Sequence, residues 1–194
     1  WGRMHAIGLI PLCRNPYMGH LLCTVYREDG KLPASRAALF GGFVCKMLDR
    51  EQKTAKRRGQ IFPAFDDIAA LLVGFASVLQ ERKITVLPQG EVVPALTTPT
   101  RDSARAGDLL RAATDANILE AEGDNLKFAH QLLQEYFAAI ILLGAMEADE
   151  KGGSHAWAME LFGEKWWDAG VWRETIVILG EFLGGGAQGP NRVA

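Results

Sequence analysis

The chain lacks several features that would each have fixed a function. Nowhere does it contain glycine, four residues, then Gly-Lys-Ser/Thr. It therefore carries no phosphate-cradling loop of its own and is not expected to hydrolyse nucleotides alone. Gly184, Gly186 and Gly189 reproduce the spacing of a dinucleotide fingerprint, but a helical pattern precedes them where a strand is needed, and Pro190 follows where a helix should open. Cysteine is scarce. Cys13, Cys23 and Cys45 lie in or beside apolar segments without a Cys-x-x-Cys pair, which fits reduced structural thiols and a cytoplasmic setting. His5, Cys13, His20 and Cys23 cluster loosely, but at no standard zinc spacing, so packing is expected and no metal site. A formal charge of -2 gives no domain-wide basic surface and disfavours nucleic acid. The longest apolar runs, residues 68–79 and 136–146, are too short to span a bilayer and are bracketed by charges. The chain begins at Trp1 and its first residues do not read as a signal peptide; the expectation is a fragment cut from a longer polypeptide at both ends.

What is present is helical patterning. With 194 residues, 48% of them hydrophobic, the chain can bury one sizeable core or two small ones. Asn15-Pro16 reads as a helix start, with Asn as N-cap and Pro at the first helical position, where its missing N–H is harmless. That helix is expected to run to about Tyr26. Ser35 can cap a second helix whose apolar set is Leu39, Phe40, Phe43, Val44, Met47 and Leu48. Its far end carries Lys46, Arg50, Lys53, Lys56, Arg57 and Arg58, a solvated helix end whose cations complement the dipole. Pro63, then Asp66 and Asp67, open a third helix burying Ile68, Leu71, Leu72, Phe75 and Leu79. A linker is expected through Pro88, Pro94 and Pro99, then a helix over residues 104–116. Two short strands, Ile118-Leu119 and Leu126-Lys127-Phe128, flank the turn Glu122-Gly123-Asp124-Asn125 and make a wing. After Gly152-Gly153 a last helix, residues 171–183, shows the register Val171, Trp172, Thr175, Ile176, Leu179 and Leu183, and the surface it packs on is expected to lie outside the chain.

The stretch of most interest is Phe128-Ala129-His130-Gln131-Leu132-Leu133-Gln134-Glu135-Tyr136-Phe137-Ala138-Ala139. Apolar residues at 128, 132, 133, 136, 137, 140 and 141 have the spacing of one buried helical face. His130 and Gln134 stand one turn apart on its edge. Near a helix N-terminus, where unpaired backbone N–H groups and the dipole favour an anion, His130 suits a phosphate contact. A core-edge histidine satisfied by a neighbouring backbone group has the same spacing. Asp66, Asp67, His130 and Ser35 could be imagined as an acid/base set, but no nucleophile signature surrounds the serine. The chain is expected not to be an enzyme.

Four pieces together resemble a NACHT-family signal-transduction ATPase of the STAND class, in the part that follows its nucleotide-binding core. Cys13-Arg14-Asn15-Pro16-Tyr17-Met18 with Leu21-Leu22-Cys23 resembles the helical-domain segment. Leu32-Pro33-Ala34-Ser35-Arg36 with Leu39-Phe40 and Phe43-Val44 is similar to the helix after it. The residues from Phe128 to Ala139 resemble the family's winged-helix signature, and Trp166-Trp167 with Val171-Trp172-Arg173-Glu174-Thr175 resembles the start of the following helical domain. The resemblance implies a mainly α chain: a helical domain at residues 1–60, a winged-helix domain with a short hairpin wing at 61–148, and the start of a second helical or repeat domain at 149–194. It further implies a cytoplasmic ADP/ATP-controlled switch of low turnover, with Mg bound in the intact protein. In the closed state His130 would reach the β-phosphate and Pro16 would pack near the base. The partners implied are an ATPase core and a C-terminal repeat sensor in the same chain, with self-association on activation and no membrane. The fragment alone is expected to bind no nucleotide tightly. A winged-helix nucleic-acid binder and a purely structural scaffold are the alternatives.

Overall fold

A computed structural model describes residues 16–96, 103–152 and 169–184. They form α1 (Pro16–Asp29), α2 (Arg36–Arg57), α3 (Phe65–Arg82), β1 (Val86–Pro88), α4 (Gln89–Leu96), α5 (Ser103–Asp115), β2 (Leu119–Glu122), β3 (Asn125–Phe128), α6 (Gln131–Gly152) and α7 (Ala169–Leu183). The described chain is thus mainly helical, with one small antiparallel sheet of order β1-β3-β2.

Local chemistry accounts for most of the boundaries. Pro16 is the first residue of α1, while Asn15, its expected cap, lies outside the described residues. The Ser35 Oγ accepts the Ala38 N–H at 3.1 Å, so it caps α2, and Leu39, Phe40, Phe43, Val44, Met47 and Leu48 form the buried face that the spacing predicts. Asp66 and Asp67 occupy the first turn of α3, where carboxylates complement the dipole. The hairpin between β2 and β3 turns on Gly123 at φ +59°, a left-handed conformation that glycine adopts without penalty at the first central position of such turns.

Three expectations need correction. The expected linker at Pro88 and Pro94 is ordered structure: Leu87 pairs with Leu126 across β1 and β3, and Pro94 sits inside the short helix α4, anchored by buried Val92. Pro99 lies outside the described residues. Phe128, expected both at the end of the second strand and on the face of the following helix, belongs to the strand alone: it ends β3, paired with Leu119, and α6 starts at Gln131. Finally, α7 has its packing surface within the chain. Trp172, Thr175, Ile178, Leu179 and Phe182 are buried against α6 and α2, whereas Leu183, expected on that face, is 56% exposed.

The core is one continuous cluster drawing on every described element. A path of rings marks its centre: Phe75 of α3 lies 5.4 Å from Phe128 of β3, and Phe128 lies 5.6 Å from Phe137 of α6. From there Tyr136 contacts Phe40 of α2 at 5.9 Å and Phe182 of α7 at 5.8 Å. Residues 133–139 of α6 are all buried, because α3, α2, α7 and β3 enclose its first turns. The enclosure extends to Gln134 and Glu135, which are buried with the apolar residues around them, so the single face read from spacing understated the burial of the helix.

Candidate functional site

The chain is delivered to His130 by the hairpin. Ala129 N–H donates to Ile118 O at 3.0 Å, which closes the ladder beyond β3, and His130 O accepts the Leu133 N–H at 2.9 Å to open α6. His130 is thus the residue before the helix. Its side chain completes the cap: Leu132 N–H donates to Nδ1 at 3.1 Å, satisfying one of the backbone donors a helix start leaves unpaired.

Across this cap lies α1. The Tyr17 ring stacks on the His130 ring with centroids 4.9 Å apart and planes within 1°. Such a pair contributes about 0.5–1.5 kcal/mol beyond its buried area. Tyr17 is itself held edge-on to Phe43 of α2 at 6.3 Å. Pro16, the other expected site residue, is exposed one position before Tyr17. The two residues singled out by sequence therefore come from α1 and the start of α6, and Tyr17 joins them.

Burial sets the charge state of both rings. It lowers the His130 pKa below the ordinary histidine value and, aided by the Glu120 carboxylate, pushes Tyr17 up to about 12. Both are neutral at physiological pH. With Nδ1 accepting a hydrogen bond, the imidazole proton resides on Nε2. The ring can then donate to an oxygen atom through Nε2–H but has no lone pair left for a cation. This donor set fits a phosphate oxygen and does not fit Mg²⁺, which requires oxygen ligands; among the described residues no group of three His, Cys, Asp or Glu side chains could hold a metal ion.

Gln134, expected beside His130 on the rim, is buried and structural. Its amide donates to Gln80 Oε1 at 3.1 Å and to Ile84 O at 3.3 Å, tying α6 to α3. Ser35 is a helix cap, its Oγ accepting the Ala38 N–H. Cys23 is exposed and Cys45 half-buried, while His5 and Cys13 lie outside the described residues. A polar cleft of about 600 Å³, lined in part by Arg58, Arg111, Asp108 and Asp115, contains neither Tyr17 nor His130.

Comparisons with protein-family models, curated proteins and solved structures find no match for this chain. Function is read from the residues.

A second polar cluster joins α2, α6 and α7. Arg36 donates to Glu174 at 2.7 Å and to Glu181 at 3.1 Å, and Glu181 also accepts the Ala37 N–H at 2.9 Å. Beside them Glu135 is buried; its Oε1 accepts from Gln131 at 3.0 Å, and its Oε2 has no hydrogen-bond partner. Burial raises its pKa to about 7, with Glu174 adding to the shift and Arg36 opposing it. Periodicity could not assign this cluster, since its members are distant in sequence. Its one local signal is a glutamate within an apolar run.

Proposed function

We propose that this chain is the regulatory helical and winged-helix portion of a nucleotide-controlled signalling ATPase of the NACHT family, STAND class. In the closed, ADP-bound state of the intact protein, His130 contacts the β-phosphate of a nucleotide held by an ATPase core, and Pro16 packs near the base. The observation that carries the reading is the Tyr17–His130 stack, in which a neutral Nε2–H donor stands at the start of α6 beside the helix that begins at Pro16. A helix N-terminus and an N–H donor both favour an anionic oxygen. The order α3, β1, α4, α5 and then the β2–β3 hairpin, with sheet order β1-β3-β2, supports the winged-helix reading.

The switch works by differential affinity. ADP bridging core and winged helix favours the closed arrangement only as far as it binds that arrangement better. A charge-assisted hydrogen bond supplies about 1.5–3 kcal/mol, enough to bias the balance and too little to lock it alone. The chain by itself is a lid without catalytic machinery; slow ATP turnover, Mg²⁺ binding, sensing by C-terminal repeats and self-association belong to the intact cytoplasmic protein. In a polypeptide joining this chain to its ATPase core, His130→Ala is expected to lose ADP faster and to self-associate more readily. Parent-like behaviour in both respects would overturn the reading.

A nucleic-acid role is disfavoured by pairing on α5, where Arg105 bonds Asp67 at 2.5 Å and Arg111 bonds Asp108. Duplex binding with a steep salt dependence would reverse that judgement.

A further inference from the structure

The polar cluster between α2, α6 and α7 has no part in the nucleotide reading, and it holds a buried acid with too little positive charge to balance it. We infer that Glu135 makes the seating of α7 proton-dependent: α7 is held tightest against α2 and α6 while Glu135 is protonated, and its hold loosens as Glu135 ionises and three carboxylates come to share one guanidinium.

The polar part of the seat is uneven. Helix α7 packs on α6 and α2, and Arg36 of α2 bonds two of its carboxylates, Glu174 at 2.7 Å and Glu181 at 3.1 Å. Glu181 also accepts the Ala37 N–H of α2. Glu135 faces this cluster from α6 and is 5% exposed. Its Oε1 accepts from Gln131 of its own helix, while its Oε2 has no hydrogen-bond partner. An ionised oxygen left bare at that depth destabilises the fold far more than a neutral carboxyl does. Arg36 is the cation of the cluster, whereas Arg173, also on α7, is exposed. From α3 comes the neutral amide of Gln80, bonded to Gln134; Lys127 of β3 pairs with Glu122, and the Cys45 thiol of α2 acts on Tyr136. In accord with this arrangement, burial raises the Glu135 pKa to about 7, with Glu174 adding to the shift and the Gln131 bond and Arg36 opposing it.

When α7 lifts away, Glu135 meets water and its pKa returns toward 4.5. Between these two values the seated form keeps a proton that the open form has released. Seating is therefore tightest below about 4.5, weakens by up to about tenfold per pH unit as pH rises, and levels off above about 7. Buried Trp172, Ile178, Leu179 and Phe182 still hold α7 by apolar contact beyond that point, so the proton sets the strength of the seat.

The test uses the 194-residue chain and Glu135→Gln, an uncharged stand-in for the protonated acid. Carbon-13 NMR of the parent should show the Glu135 carboxyl titrating well above the ordinary glutamate range. Amide hydrogen exchange, taken as protection relative to the unstructured rate, should show α7 opening more easily than α3. Protection of α7 should fall with rising pH between about 5 and 7 in the parent and stay level in Glu135→Gln. An ordinary Glu135 titration in the parent overturns the proposal even if the glutamine variant fails to fold. So does level α7 protection across that range in the parent, α7 exchange no faster than that of α3, or a glutamine variant whose α7 protection falls with the parent's slope.

Discussion

Two of the junctions that helix α6 makes with the rest of the molecule are built from opposite materials. At its start, two neutral rings stack and one backbone N–H is capped. Just over one turn later, at Glu135, three carboxylates gather around a single guanidinium, and one buried carboxylate oxygen has no partner. The first arrangement leaves nothing charged to desolvate. The second holds more acid than base, and burial forces Glu135 to share a proton with the solvent near pH 7.

The largest expected effect comes from removing the guanidinium. Arg36→Ala leaves Glu174 and Glu181 facing each other without a cation and strips α2 of its bridge to α7; the loss should be about 2 kcal/mol, since the groups are half-buried and partly screened. Urea denaturation would measure it, and hydrogen exchange should quicken in α7 while α3 changes little. Equal acceleration throughout would show that the cluster does not act as a local clasp.

The two junctions should also answer pH with opposite signs. Glu135 binds a proton in the folded state at pH values where the unfolded chain has released it, because its pKa is raised from 4.5 to about 7. Its contribution is therefore complete below about 4.5 and is lost as pH rises through about 7. His130 is shifted downward from 6.5, so the unfolded chain takes up protons first, and its contribution falls as pH drops below that value. Stability measured against pH should lose the alkaline decline in Glu135→Gln and part of the acid decline in His130→Asn. Identical profiles for parent and Glu135→Gln would contradict the assignment.

A finer test lies at Gly41, where an added Cβ would stand 3.0 Å from the Tyr136 Oη. Alanine normally gains up to about 1 kcal/mol over glycine inside a helix. Here Tyr136 is held by Phe40, Phe137 and Phe182, so Gly41→Ala should instead cost about 1 kcal/mol. The Tyr136 hydroxyl is buried without a partner. Tyr136→Phe alone should thus be neutral or stabilising by up to about 1 kcal/mol, and in that background Gly41→Ala should become favourable. Thermal melts of the four chains decide it. The smallest effect belongs to the cap: His130→Asn retains a good N-cap side chain and should cost less than His130→Ala, which should lose about 1 kcal/mol.

How far each junction could be read from sequence follows from what builds it. The bodies of α2 and α3 were legible because their apolar residues recur at helical spacing and because Ser35, Asp66 and Asp67 mark their starts. The β2–β3 hairpin was legible from Gly123 in its turn. β1 was not, since three residues cannot display an alternation, and its partner lies on the far side of α4 and α5. At α6, periodicity found the helix but counted Phe128 on its face as well as in the strand before it, because Phe128 is apolar in a strand for the same reason it would be in a helix. His130 was singled out as a helix-start residue, yet its stack with Tyr17 depends on tertiary packing that local spacing does not encode. The Arg36 cluster was invisible for that reason too: Glu174 and Glu181 look like the solvated face of α7 until α2 is placed against it.

The proposed nucleotide contact at the neutral junction is most directly tested by ADP release. In a polypeptide joining this chain to an ATPase core of the proposed family, ADP dissociation should be compared between the parent and His130→Asn, a substitution that preserves the helix cap. Loss of one charge-assisted hydrogen bond predicts release about 10- to 100-fold faster. Dissociation at the parent's rate would contradict the account and leave His130 as a helix cap alone.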